Sequence, residues 1–243
     1  MLAFRAVLRV TVVEMPASWG EPEQALRLAD AALAAGPPSD LVLLPEACLT
    51  GYVSPELDFD LSRFAERADG PTARALAELA RRRRTHVVGP LVLEEDGARF
   101  NATVAFDPDG RRTFLYKKRH PWIPERWATP GPDPHPLVRI GGVAVTVACC
   151  FDVHFVAHEA GATLDAADLL LFPSAWVEEG EDTRLARLAA IARAHDVAVA
   201  AANWGPGVVH VPGQGSSAIL DARGEVLARV RRGAMRADAV VRR

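Results

Sequence analysis

The sequence predicts an α/β protein built from two similar halves, each laying helices over one face of a sheet. Two observations carry this. The order strand, helix, strand, helix, then several strands runs through the chain twice. Short stretches also match in the same order: residues 10–15 (VTVVEM) with 145–150 (VTVACC), 40–47 (DLVLLPEA) with 168–175 (DLLLFPSA), and 103–110 (TVAFDPDG) with 217–224 (SAILDARG). The seam falls near residues 130–136. Half-sheets of this kind pack as a sandwich with helices outside. In this alignment Cys150 stands where the first half has Met15, and Glu46 where the second half has Ser174.

The elements follow from local pattern. Residues 7–13 read as an apolar strand. Helical apolar spacing over 21–35 stops at Gly36-Pro37-Pro38, a helix terminator. Residues 40–44 form a short strand ending at Pro45-Glu46. An amphipathic helix spans 71–84, with Pro71 in its first turn and Arg81–Arg84 at its solvated end. Strands near 86–93, 100–106 and 112–116 are separated by turns at Asp96-Gly97 and 107–110. The Pro-rich stretch 121–136 is irregular and suited to lining a site. The β-branched run 143–148 is a buried strand. A helix over 156–167, a strand over 168–172 and a helix over 182–195 come next. Strands over 197–202, 208–211, 216–220, 226–230 and 234–241 complete the chain. Residues 1–243 are expected to form one domain.

Composition narrows the function. The chain has 243 residues, 49% hydrophobic and 24% charged, with a net charge of -3, as in a soluble globular protein with no electrostatic footprint for nucleic acid. Three cysteines, two of them adjacent, do not make a disulfide scaffold and suit a reducing compartment. Arg5 and Arg9 interrupt the apolar N-terminus, and no run is long enough to cross a membrane. The expectation is a cytoplasmic protein with no membrane or nucleic-acid partner.

Among 28 cationic side chains only Lys117 and Lys118 are lysine. A lysine ammonium is compact with rotatable donors, which arginine cannot copy at a tight site. This marks the pair as functional candidates. Cys149 and Cys150 close the buried strand 143–148, where open α/β sheets present their chemistry. Adjacent strand residues point to opposite faces, so only one of each pair can face a site.

Three motifs then occur in a fixed order: LPEACLTGY around Glu46, YKKRHPW around Lys118, and CCFD around Cys150. Together they resemble the nitrilase superfamily, the carbon–nitrogen hydrolases, over most of the chain. DLLLFPSAW, AAANWGPG and GQGSSAILDARGEV resemble the later blocks of that family. The resemblance implies an αββα sandwich that dimerises into four layers, with homodimers or higher homo-oligomers as the working form. It implies a Glu46–Lys118–Cys150 triad, no metal and no cofactor. Lys118 is selected by its spacing to His120, and Cys150 by the Phe-Asp that follows. Glu125, one place before the position that close relatives use, is the candidate second carboxylate. Phe151, Trp176 and Asn203 are the other candidate substrate-binding residues, Phe151 through its backbone N–H.

The expected reaction is hydrolysis of a small amide or N-carbamoyl compound through a thioester. Phe151-Asp152 after the cysteine, in place of the Trp-Glu typical of nitrile-cleaving relatives, sets nitrile hydrolysis aside as the alternative. The chain departs from the family in two places: Val156-Ala157 replaces Pro-Glu after Phe155, and residues 191–199 (IARAHDVAV) lack a glutamate. These departures raise a second alternative, a catalytically impaired small-molecule-binding member. Two rivals outside the family remain. Cys150, His154 and His158 share a four-residue spacing that a zinc site on one helix would need, but the strand end at Cys150 breaks that periodicity. A Cys–His hydrolase would leave the lysine motif without a task.

Overall fold

The computed structural model describes residues 6–16, 18–177, 183–205 and 215–242. Strands β1 (Val7–Val13), β3 (Leu41–Leu43), β4 (His86–Glu95), β5 (Ala98–Phe106), β6 (Arg112–Lys117) and β13 (Arg236–Arg242) form one sheet in the order β13-β1-β3-β4-β5-β6. A second sheet runs β12-β11-β10-β9-β8-β7, from β7 (Val138–Ile140), β8 (Val143–Val147), β9 (Leu169–Ser174), β10 (Ala198–Gly205), β11 (Ala218–Leu220) and β12 (Val226–Arg229). The short β2 (Met15–Pro16) pairs with β10.

The sheets meet face to face. Val10, Val12, Leu41 and Leu43 of one sheet share a core with Val143, Val145, Val147, Leu169 and Leu171 of the other. On the outer face of the first sheet lie α1 (Pro22–Ala34) and α2 (Pro71–Arg83), through Ala25, Ala29, Ala73, Leu76 and Ala80. On the outer face of the second lie α3 (Val156–Glu159), α4 (Gly161–Ala166) and α5 (Thr183–His195), through Val156, Leu164, Leu188 and Ala192. All four layers are therefore present in one chain.

The duplication holds in the hydrogen-bond register. β1 pairs with β3 at Val10↔Leu41 and Val12↔Leu43, and β8 pairs with β9 at the aligned Val145↔Leu169 and Val147↔Leu171. Val87↔Phe106 in one half corresponds to Val199↔Leu220 in the other. The chain also crosses between halves at its end: β13 returns to pair antiparallel with β1, from Val7↔Arg242 to Val13↔Arg236.

Expected and observed elements differ in few places. The single helix expected over 156–167 is two helices broken at Ala160, whose φ of −126° is not helical. Val156, Ala160 and Leu164 still face the sheet together. The four-residue spacing of a helix is kept across the break, at which Gly161 offers little resistance. The strand expected over 208–211 lies outside the described residues. The runs β2 and β7, two and three residues long, are too short to show a period.

Candidate active site

β3 and β8 are parallel neighbours of β1 and β9 and end on the same side of the sandwich. Just past β3 comes Glu46, followed by Ala47 at φ 50°. Just past β8 comes Cys149, still extended at φ −112°, then Cys150 at φ 47°. A left-handed conformation in a residue with a Cβ is strained. It turns the chain out of the sheet at once, into the short 3₁₀ turn Cys150–His154. Lys118 follows the end of β6, and its N–H is held by the carbonyl of Asn101 at 2.8 Å.

These ends converge. Lys118, 1% exposed, donates from Nζ to Glu46 Oε1 at 2.7 Å and to both oxygens of Glu125 at 2.9 and 3.0 Å. An ammonium has three donors, and all are used. Asn101 Nδ2 donates to Glu46 Oε1 at 2.7 Å and to Glu125 Oε1 at 3.3 Å. The second oxygen of Glu46 accepts the backbone N–H of Ala175 at 2.9 Å. The Cys150 thiol lies against the Glu46 carboxylate and the Ala175 N–H. Tyr52 Oη donates to Glu125 Oε1 at 2.6 Å, and the Trp122 N–H to Oε2 at 3.1 Å.

Burial here would push every charge towards neutrality. For Glu46 that push is outweighed by the Lys118 charge and by hydrogen bonds from Lys118, Asn101 and Cys150, so its carboxyl is held below the usual range. Glu125 is pushed up, by burial and then by the Glu46 charge, against the pull of Lys118. Lys118 resists burial because two carboxylates face it, and it stays protonated. Burial and the Glu46 charge push the Cys150 thiol well up. The resting site is thus an ionised Glu46 beside a protonated thiol. That arrangement suits proton transfer during attack rather than a standing thiolate.

Cys150 opens on a cavity of about 180 Å³ lined by Tyr52, Trp122, Phe151, His154, Ala175 and Trp176, with Thr183 and Arg187 also on its wall. Cys150 is buried and the last two are exposed, so the thiol sits at the base and the arginine at the mouth. Of the residues singled out from sequence, Glu46, Lys118, Glu125 and Cys150 come together, while Phe151 and Trp176 line the cavity. Asn203 does not. Its Oδ1 accepts from Ser174 and from the Trp176 N–H, and its Nδ2 donates to the carbonyls of Trp176 and Gly215. It holds the strand end that carries Trp176, and its amide has no group left for a substrate. Glu125 is buried at 2% exposure while Arg126 is exposed, so the carboxylate reaches the site from its shifted place.

Cys149 is packed in the core between the sheets, as alternation requires. Lys117, the lysine not selected by the motif, is only 12% exposed, ion-paired with Glu95 and 4.7 Å from the Phe100 ring centre. Sequence reasoning missed Tyr52, Asn101, Asp152 and the Ala175 N–H. The first three carried a signal: Tyr52 and Asp152 lie inside the motifs, and Asn101 is a polar residue within an apolar strand. Among the described residues no group of three His, Cys, Asp or Glu is placed to hold a metal ion. No described helix is long and apolar enough to cross a membrane.

Residues 9–236 match the carbon-nitrogen hydrolase family. The chain belongs to that family. It is 31% identical over 141 residues to a hydrolase from the pqqF 5' region of Pseudomonas protegens, covering 56% of this chain and 48% of that protein. It is 30% identical over 115 residues to an (R)-stereoselective amidase of a Pseudomonas species, covering 47% of this chain and 40% of that one. The matched part thus spans about half or less of these relatives. Among solved structures, a cysteine-to-alanine mutant of the Nesterenkonia AN1 amidase of the nitrilase superfamily superposes with a TM-score of 0.84 at 23% identity, covering 100% of this chain and 93% of that one. A CN-hydrolase superfamily protein from Xanthomonas campestris with an arsenic adduct in its active site gives 0.81 at 24% identity, covering 97% and 90%. At these identities the likeness speaks for the shared fold.

Proposed function

We propose that this chain is a cysteine-dependent hydrolase of small amides or N-carbamoyl compounds, with Glu46, Lys118 and Cys150 as the reacting groups. The observation that carries the reading is the buried Lys118 ammonium clamped between Glu46 and Glu125, with the Cys150 thiol against Glu46 at the base of a cavity. Such a cluster is costly to bury and adds nothing to packing that apolar side chains could not supply.

The steps follow from the geometry. Substrate enters with its carbonyl carbon at the Cys150 sulfur. As the S–C bond forms, the thiol proton passes to Glu46. Protonated Glu46 then competes less for Lys118, which frees an N–H for the new oxyanion. The Phe151 N–H is the proposed second donor. Glu46 returns the proton to the leaving nitrogen, the C–N bond breaks, and a thioester remains on Cys150. Water, losing a proton to Glu46, attacks the thioester, and the C–S bond breaks with the thiol reprotonated. Glu125 keeps Lys118 in place throughout, and Tyr52 and Asn101 keep Glu125 in place.

The test is ammonia release from a panel of small amides, N-carbamoyl amines and nitriles, with mass spectrometry of the quenched enzyme. Turnover of amides or carbamoyl compounds with an acyl mass on the Cys150 peptide is expected. Turnover of nitriles alone would reassign the reaction. Binding of these compounds with no turnover would make the protein the impaired member that the two departures from the family pattern suggest.

A further inference from the structure

Asp152 is fully buried and takes no part in the steps above. Its Oδ2 accepts from Tyr116 Oη at 2.7 Å and from the Cys149 N–H at 2.9 Å, and its Oδ1 accepts the His120 N–H at 2.9 Å. Tyr116 and His120 lie two residues before and two residues after Lys118. Cys149 immediately precedes Cys150. One carboxylate therefore grips the lysine segment on both sides and the cysteine strand at its end. The lysine segment belongs to the first half of the molecule and the cysteine strand to the second.

We propose that Asp152 is a positioning residue that fixes the Lys118 ammonium relative to the Cys150 thiol across the two halves. The proposal rests on the reading of Cys150 and Lys118 given above. Three properties support it. An ionised carboxylate is an acceptor at both oxygens, which matches three converging donors; an amide would turn its own N–H₂ towards at least one of them. Cys150 holds a left-handed backbone, and such conformations persist only where the surroundings over-determine them. Asp152 sits two residues on and ties that turn back to the Cys149 N–H. At the surface Glu159 repeats the link more loosely, accepting from Arg119 Nε at 3.2 Å and pairing with His120 Nε2 at 3.0 Å. The buried contact sets the geometry, and the exposed one braces it.

The experiment compares Asp152→Asn, Tyr116→Phe and Asp168→Asn with the wild type. Asp168 accepts the Ala144 N–H at 2.7 Å near the opposite end of β8, so it serves as a control for strand stability. For each variant, kcat and KM, the rate of Cys150 alkylation by iodoacetamide, and the melting temperature are measured. Asp152→Asn is expected to lower kcat by about tenfold to a hundredfold, the scale for a small misplacement of reacting groups. KM should stay within about threefold, and alkylation of Cys150 should slow with kcat. Tyr116→Phe, which removes one donor of three, should lower both rates less. Asp168→Asn should lower the melting temperature and leave both rates unchanged. If folded Asp152→Asn keeps both rates and loses only melting temperature, Asp152 is a structural residue and the proposal is wrong. If Asp152→Asn does not fold, unchanged rates in Tyr116→Phe overturn it equally. A wild type inert towards every amide would remove the proposed function, while the alkylation comparison would still decide the role of Asp152.

Discussion

Asp40 and Asp168 occupy equivalent places in the two halves and do the same work. Each accepts a backbone N–H of the preceding strand at 2.7 Å, from Arg9 and from Ala144, and each gives its own carbonyl to the next strand, at His86 and at Ala198. Asp107 and Asp221 likewise build the same turn, each accepting the N–H groups two and four residues on. Six residues after Asp40 and Asp168 the likeness ends. Glu46 points its carboxylate at Lys118, while Ser174 donates to the Ala202 carbonyl and to Asn203. Met15 is fully buried beside Trp204, and its counterpart Cys150 opens on the cavity. The repeated residues cap strands and close turns. The divergent ones meet at the strand ends, where each half supplies what the other lacks: carboxylates and ammonium from the first, thiol and the Ala175 N–H from the second.

That division can be broken from either side. The largest effect is expected from Cys150→Ala, which should cost at least about 10⁴-fold in kcat, the scale for removing a nucleophile. Adding Met15→Cys to that variant places a thiol at the equivalent strand end of the other half. It should restore nothing, because Met15 is buried in the core under α1 and α2, and recovered ammonia release would show that the halves are interchangeable. Next comes Lys118→Arg. All three donors of the ammonium are engaged within 3.0 Å, and a longer planar group cannot reproduce them. A loss of about a hundredfold in turnover is expected, the scale of one lost oxyanion donor. Ser174→Ala, at the place of Glu46, should cost about 1 kcal/mol in unfolding free energy as a lost hydrogen bond, with turnover unchanged. The smallest effect belongs to Lys117→Arg: within about 1 kcal/mol of stability, since a largely covered ion pair is disturbed, and no change in kcat. A hundredfold loss in folded Lys117→Arg would mean that the wrong lysine had been assigned.

The sequence was most readable where a period or a turn residue enforced structure. The Asp-Gly turns, the proline in the first turn of α2, and the β-branched run of β8 all fall where patterning puts them. Order in the chain also exposed the duplication, since three matches in sequence are harder to meet by chance than one. Features set by distant partners were not readable. Whether Lys117 is covered depends on Glu95 and Phe100 across the sheet. The Ala175 N–H that holds Glu46 is a backbone group 129 residues away, with no side chain to mark it. Asn203 was recognised as part of a motif, but which way its amide is spent is decided by Ser174, Trp176 and Gly215 around it.

The central claim is that Glu46 of one half serves the protonated thiol of Cys150 in the other, and its most direct test is the pH dependence of Cys150 alkylation. The second-order rate is measured from pH 5 to pH 10 in the wild type and in Glu46→Gln. Burial and the Glu46 charge hold the thiol proton far above neutrality, and Lys118 keeps Glu46 ionised below the usual carboxylate range. The wild-type rate should therefore be nearly flat through neutral pH, with no step at the ordinary thiol pKa of about 8.5. Glu46→Gln should react about a hundredfold more slowly at pH 7, at the low end of what a positioned base contributes, and should speed up only as pH rises. A wild-type rate that climbs tenfold per pH unit towards 8.5, overlaid by that of Glu46→Gln, would contradict the account.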